Sequence, residues 1–234
     1  MELIIIGCDG SYPSANGACS GFLVRYGQEA LLLDCGTGVL GKLTATMDPA
    51  RLSAIVLTHW HNDHASDLLT LKYYLEISKQ SLPLYAPAGP HPLGDLAQSR
   101  ALDRRDLAPG FVIGGFAVSA VSVSHPVPAF AVRVSAGGKR LVYTGDTSRV
   151  DPLPAFSKGA DVLICDAAFT SAQWNPDMPH LSAEKAAELA LQADVGTLIL
   201  SHCPPYNDAQ TLLREASAVF PRARSAYNGM RLTL

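Results

Sequence analysis

A series of short apolar runs, each stopped by glycine, aspartate or histidine, limits what this chain can fold into. The runs read LIIIGC, GFLVRYG, EALLLDCG, SAIVLTH, FAVSAVSVSH, RLVYTGD, DVLICD and TLILSH. Runs of this length, rich in Val, Ile and Leu, predict buried strands. Helical periodicity fills some of the gaps. Residues 67–80 bring Leu68, Leu71 and Leu75 to one face, Ser182 is placed to cap a helix, and residues 209–220 stop before Pro221. Strands crowd the N-terminal third and residues 111–146, which predicts hairpins; elsewhere strands alternate with helices. The expected fold class is α/β, a layered sandwich with two mixed β-sheets, in a single domain over residues 1–234. The turn-rich segment 86–110 is expected to lie at the periphery. Within it, Arg100, Arg104 and Arg105 among Asp103 and Asp106 read as a solvated helix face.

Composition narrows the function classes. With 234 residues, 48% apolar and 17% charged, the chain can bury a real core and is unlike a disordered one. A net charge of −3 gives no global basic field to draw in long nucleic acids or anionic membranes. The opening MELIIIGCDG has neither the basic region nor the apolar length of a signal peptide. Residues 111–124, the longest mostly apolar stretch, carry glycines and serines that disfavour a membrane span. Five scattered cysteines without a CxxC pair suit reduced thiols and a cytoplasmic location.

The chemistry concentrates in LTHWHNDHASDL, residues 57–68, which spends three of the seven histidines. A hydrated polar loop is the bland explanation, but His59, His61, Asp63 and His64 follow directly on a buried strand with the spacing of a metal site. Alternate residues of an extended segment point the same way, so His59 and His61 can grip one ion. Asp63 and His64 follow across a turn and can serve a second. His125, Asp146 and His202 each close another strand, where ligands collect in layered α/β proteins. These seven N and O donors suffice for two divalent ions, with Asp146 bridging. A short echo, IVLTHWH and LILSHCP, delivers histidine at a strand end twice. Trp60 reads as packing, His91 as a loop residue, Cys203 as structural and GCDGS as a tight turn.

The HxHxDH motif, followed by His125, Asp146 and His202 in order, resembles the metallo-β-lactamase superfamily, from GCDGSYPSANGACSGFLV to the closing AYNGMRLTL. That resemblance implies a four-layer αββα sandwich. It also implies that His59, His61 and His125 hold one metal, Asp63, His64 and His202 the other, and Asp146 both. DMPHLSAEKAAELA followed by LILSHCPPY is similar to the branch containing tRNase Z and bacterial cyclic-nucleotide phosphodiesterases, which makes His180 the proton donor. Asp34, in LLLDCG, matches an aspartate that supports the ligand loop.

The expected activity is therefore hydrolysis of a phosphodiester by a hydroxide held between two divalent ions, with Asp63 orienting or deprotonating it and His180 protonating the leaving oxygen. Zinc suits these ligands first; manganese and iron accept them too. A β-lactamase is disfavoured by Asp146, which stands where the common zinc lactamases use cysteine. A thioesterase or glyoxalase-type hydrolase shares the ligand set, and a non-catalytic metal-stabilised binding domain is the alternative from another class. Little room for an inserted arm between His125 and Asp146 points to a small substrate such as a cyclic nucleotide, with an RNA 3′ end second. The resemblance also implies a homodimer; from charge and hydropathy, no membrane association is expected.

Overall fold

The apolar runs are continuous because the strands they form are covered on both faces. The computed structural model describes residues 1–107 and 110–234. The first half of the chain contributes β1 (Glu2–Gly7), β2 (Gly21–Tyr26), β3 (Glu29–Leu33), β4 (Ala54–Val56), β5 (Leu82–Ala86) and β6 (Leu102–Asp106). Its helices are α1 (Val39–Thr44), α2 (Asn62–Ala65), α3 (Asp67–Ser78) and α4 (Pro92–Ala97). The second half contributes β7 (Gly110–Ile113), β8 (Phe116–Val123), β9 (Ala129–Ala136), β10 (Lys139–Tyr143), β11 (Val162–Asp166), β12 (Thr197–Ser201), β13 (Ala223–Ser225) and β14 (Arg231–Thr233). Its helices are α5 (Leu153–Ser157), α6 (Ala183–Gln192) and α7 (Ala209–Val219).

Two seven-stranded sheets result, ordered β14-β1-β2-β3-β4-β5-β6 and β13-β12-β11-β10-β9-β8-β7. In the first, β14, β1, β2 and β3 pair antiparallel and β3 to β6 parallel. The second repeats the plan, with β7 to β10 antiparallel and β10 to β13 parallel. Alternation along each strand separates three cores. On β1, Leu3 and Ile5 face Phe116, Val134 and Ile164 of the opposite sheet. Ile4 and Ile6 face the other way, into a layer with Leu68, Leu71 and Leu75 of α3. The second sheet buries Leu163, Leu198 and Leu200 against Ala186, Ala187 and Ala190 of α6 and Leu212 and Ala216 of α7. Helix, sheet, sheet and helix stack as four layers, as the resemblance implies.

Ser182 caps α6 by accepting from the amide of Lys185, and α7 ends before Pro221, as expected. One expectation fails. Residues 102–106 are not a helix face but β6, the outer strand of the first sheet, paired parallel to β5. The segment 86–110 lies at the edge of the first sheet, as expected, and contributes α4 and β6; Ala108 and Pro109, within it, lie outside the described residues. The echo between residues 55–61 and 198–204 does deliver histidine at a strand end twice, His59 after β4 and His202 after β12, at different places in the two sheets. β4 is second in its parallel run and β12 third.

Candidate metal centre

Every polar residue singled out at a strand end arrives at one rim of the sandwich. Asp34 follows β3, His59 follows β4, Asp146 follows β10 and His202 follows β12, all strands of the parallel runs. β8 has the same direction as β10, two antiparallel steps away, so His125 beyond it reaches the same rim. α2 then lifts Asp63 and His64 off the extended His59–His61 stretch by one helical turn, and the amide of Cys35 donates to the His64 carbonyl at 2.7 Å to hold that turn down.

The side chains fall into two groups that share one carboxylate. His59, His61, His125 and Asp146 form the first; Asp63, His64, His202 and Asp146 form the second, with the donor atoms of each within 4.8 Å of one another. In the first, His61 Nδ1 lies 3.2 Å from His59 Nε2 and 3.1 Å from His125 Nε2. Ligands bonded tetrahedrally to zinc at about 2.0–2.1 Å stand about 3.3 Å apart, so these nitrogens already have near-ligand spacing. Asp146 Oδ2 is 3.5 Å from His59 Nε2 and 3.3 Å from His64 Nε2, between the groups.

Several buried polar atoms of the site have no partner, and a cation would supply one. His64 Nε2 and both ring nitrogens of His202 are buried without a hydrogen-bond partner. Such atoms cost about 1–3 kcal/mol each unless something binds them. His64 Nδ1 is meanwhile engaged with Asp34 Oδ2 at 2.7 Å, the carboxylate–histidine pairing that orients a metal-ligating imidazole. Burial, reinforced by neighbouring imidazoles, holds His59 well below the ordinary histidine pKa; burial also lowers His61 and His125. All three are therefore neutral near pH 7, with lone pairs available. Asp146 is fully desolvated, yet His202, His64 and His59 hold its pKa well below the usual carboxylate range. Burial opposes the protonation of His64 while Asp146 and Asp34 promote it more strongly, so a cation must displace a proton there. The donors fit divalent ions.

Asp34 is wholly buried and binds the site from behind. Its Oδ1 accepts from the Thr58 amide at 2.7 Å, and its Oδ2 from the Thr58 hydroxyl at 2.8 Å and the Tyr143 hydroxyl at 2.9 Å. Asp34 and His202 both have positive φ, 58° and 61°, a conformation few side-chain-bearing residues adopt. The GCDGS turn is more than a turn. A Cβ on Gly10 would come within 2.4 Å of the His202 carbonyl oxygen, and the Ser11 amide donates to Asp63 Oδ2 at 2.9 Å.

His180 sits beside the second group, with Nδ1 2.9 Å from Asp166 Oδ2 and its ring stacked on His202 at 4.6 Å. Burial disfavours its charged form, but the Asp166 carboxylate outweighs burial and pushes its pKa up to about 9. Asp166 was missed by sequence reasoning: it ends DVLICD as Asp146 ends RLVYTGD, and that position was its only mark. Trp60 packs as expected, but His91 does more than fill a loop. It caps α4 through Nδ1, and its ring stacks on Trp60 at 5.6 Å, between the two ligand-type histidines.

Residues 29–203 match the beta-lactamase superfamily domain. The chain belongs to that superfamily. Among its superfamily relatives, a probable metallo-hydrolase of Bacillus subtilis, YhfI, is 33% identical over 94% of both chains. The crystal structure of YhfI superposes with a TM-score of 0.94, covering 99% of this chain and 98% of that one at 31% identity. Ribonuclease Z of a Bradyrhizobium species is 28% identical over the full length of both. The short form of human tRNase Z has the same fold, with a TM-score of 0.83 at 22% identity over 100% of this chain and 99% of that one. The chain is a metal-dependent hydrolase of the beta-lactamase superfamily. No helix among the described residues is long and apolar enough to cross a membrane.

Proposed function

We propose that this hydrolase cleaves small phosphodiesters, nucleotide diesters first and short RNA 3′ ends second, using two divalent ions of which zinc suits the donors best. His59, His61 and His125 would hold one ion, Asp63, His64 and His202 the other, and Asp146 both. When bound, such a pair neutralises charge on the phosphoryl oxygens and acidifies water. The observation that carries the proposal is the His180–Asp166 pair set against the second donor group, with His180 pushed towards its charged form at neutral pH. A hydrolase of activated thioesters gains little from a group kept protonated at neutral pH, since a thiolate leaves readily; an alkoxide leaves poorly without a proton.

The chain's own residues divide the remaining work. Asp63, steadied by the Ser11 amide, orients the attacking water and takes its proton. Water oxygen bonds to phosphorus as the ester P–O bond breaks. Asp166 fixes the His180 ring through Nδ1, leaving Nε2 to donate its proton to the departing oxygen. The products are an alcohol and a phosphomonoester.

Protein loaded with zinc or manganese should hydrolyse bis(p-nitrophenyl) phosphate and cyclic AMP. His180→Ala should lower kcat by about 10²–10⁴-fold on cyclic AMP, and less on the nitrophenyl ester, whose leaving group needs no proton. Asp63→Asn should abolish measurable turnover of both. Cleavage of S-lactoylglutathione with neither diester touched would reject the proposal and retain the hydrolase.

A further inference from the structure

We propose that Tyr12 and Tyr206 form a stacking platform at the mouth of the metal centre and select substrates bearing a planar nucleobase. The proposal rests on the phosphodiester reading above and adds which residues outside the donor groups would favour its nucleotide diesters.

Both rings are exposed, Tyr12 by 50% and Tyr206 by 64%, although each belongs to a segment locked onto the donor groups. The Gly10 amide donates to the Cys203 carbonyl at 3.1 Å, and the His202 amide to the Cys8 carbonyl at 2.9 Å. The two segments therefore meet beside His202. Tyr12 follows Gly10 by two residues and Tyr206 follows Cys203 by three. At about 3.8 Å between successive Cα atoms, their backbones lie within about 8 and 11 Å of that junction. Tyr12 is also bonded directly to Ser11, whose amide touches Asp63. On the other flank, Asn207, next to Tyr206, is tied to the Ala168 carbonyl at 2.7 Å and to Gln173 at 2.9 Å, so the Tyr206 loop is braced from both sides.

Aromatic rings left in water on braced backbone lose no packing and little entropy when a flat partner covers them. A nucleobase gains from such rings in an open, wet mouth, because it stacks by its face and keeps its polar edge hydrated. An alkyl chain needs a closed apolar pocket to gain as much. The chemistry at this rim therefore fits a nucleoside on the phosphodiester. Exposure alone is not the argument: Tyr73 on α3 is as exposed as Tyr206 and carries no such link to the donor residues.

The test compares two esters with the same leaving group, thymidine 5′-(p-nitrophenyl phosphate) and methyl p-nitrophenyl phosphate, on zinc-loaded protein. Wild type should prefer the nucleoside ester in kcat/KM. Tyr12→Ala and Tyr206→Ala should each reduce that preference about 10-fold, mainly through KM. Tyr12→Phe, Tyr206→Phe and the surface control Tyr73→Ala should preserve it. An unchanged preference in both alanine variants, or a loss in the phenylalanine variants equal to that in alanine, would overturn the platform while leaving the phosphodiesterase intact. If wild type cleaves neither ester, the underlying phosphodiester reading falls first.

Discussion

At the scale of single residues, the site depends on a carboxylate that would touch no metal. Asp34 unites the Thr58 backbone, the His64 ring and the Tyr143 hydroxyl on two oxygens with no access to solvent. Asp34→Ala would deprive four buried donors of this acceptor, and removal of one member of a buried charged pair costs about 3–5 kcal/mol. Urea denaturation should read a loss of that order. Asp34→Asn should preserve more stability yet weaken metal binding about 10–100-fold in competition with a chelator, because a neutral amide no longer orients the imidazole as a carboxylate does. The candidate donors were legible in sequence because four of them crowd into one motif and the others close apolar runs. Asp166 was not, since one aspartate at a strand end is as easily a turn residue. Its partner His180 lies 14 residues downstream, across a loop whose path no local pattern reveals.

At the scale of elements, two glycines make opposite predictions. Gly36 lies against α2, and an added Cβ would stand 1.9 Å from the Asp63 carbonyl oxygen. Gly36→Ala must push α2 away from the rim; it should cost more than about 2 kcal/mol and reduce metal affinity, read by denaturation and by chelator competition. Gly41, in α1, has open space where a Cβ would go and no unusual backbone angle. Gly41→Ala should stabilise by about 0.5–1 kcal/mol, measured the same way, because alanine loses less backbone freedom in a helix. β6 shows where element reading fails. The first sheet ends there, and an edge strand is protected from further pairing by charge. Leu102–Asp106 therefore carries the polar composition that also suits a solvated helix, and only its pairing with β5 tells the two apart.

At the scale of the molecule, the donor groups lie across a seam. His59, His61, Asp63 and His64 come from the first half of the chain, His125, Asp146 and His202 from the second, and, β14 apart, the halves build different sheets. Metal bound there would staple one sheet to the other. Free zinc at 100 times its dissociation constant should contribute about 2.7 kcal/mol per ion, or roughly 5–10 °C in Tm for a chain of this size. Thermal melts with zinc and with EDTA would measure the difference; no shift would refute metal binding by the native state. The layered fold was legible because strands buried on both faces must read as unbroken apolar runs, whereas the pairing order was not, because sheet neighbours such as β14 and β1 are nearly a chain length apart. The seam also has a kinetic consequence. A chain in which only one sheet has formed cannot offer a complete donor group, so metal would be held fully only once both sheets are in place. Interactions absent from the transition state slow unfolding without speeding folding. The metal centre should therefore set how long the native molecule lasts, not how quickly it is made.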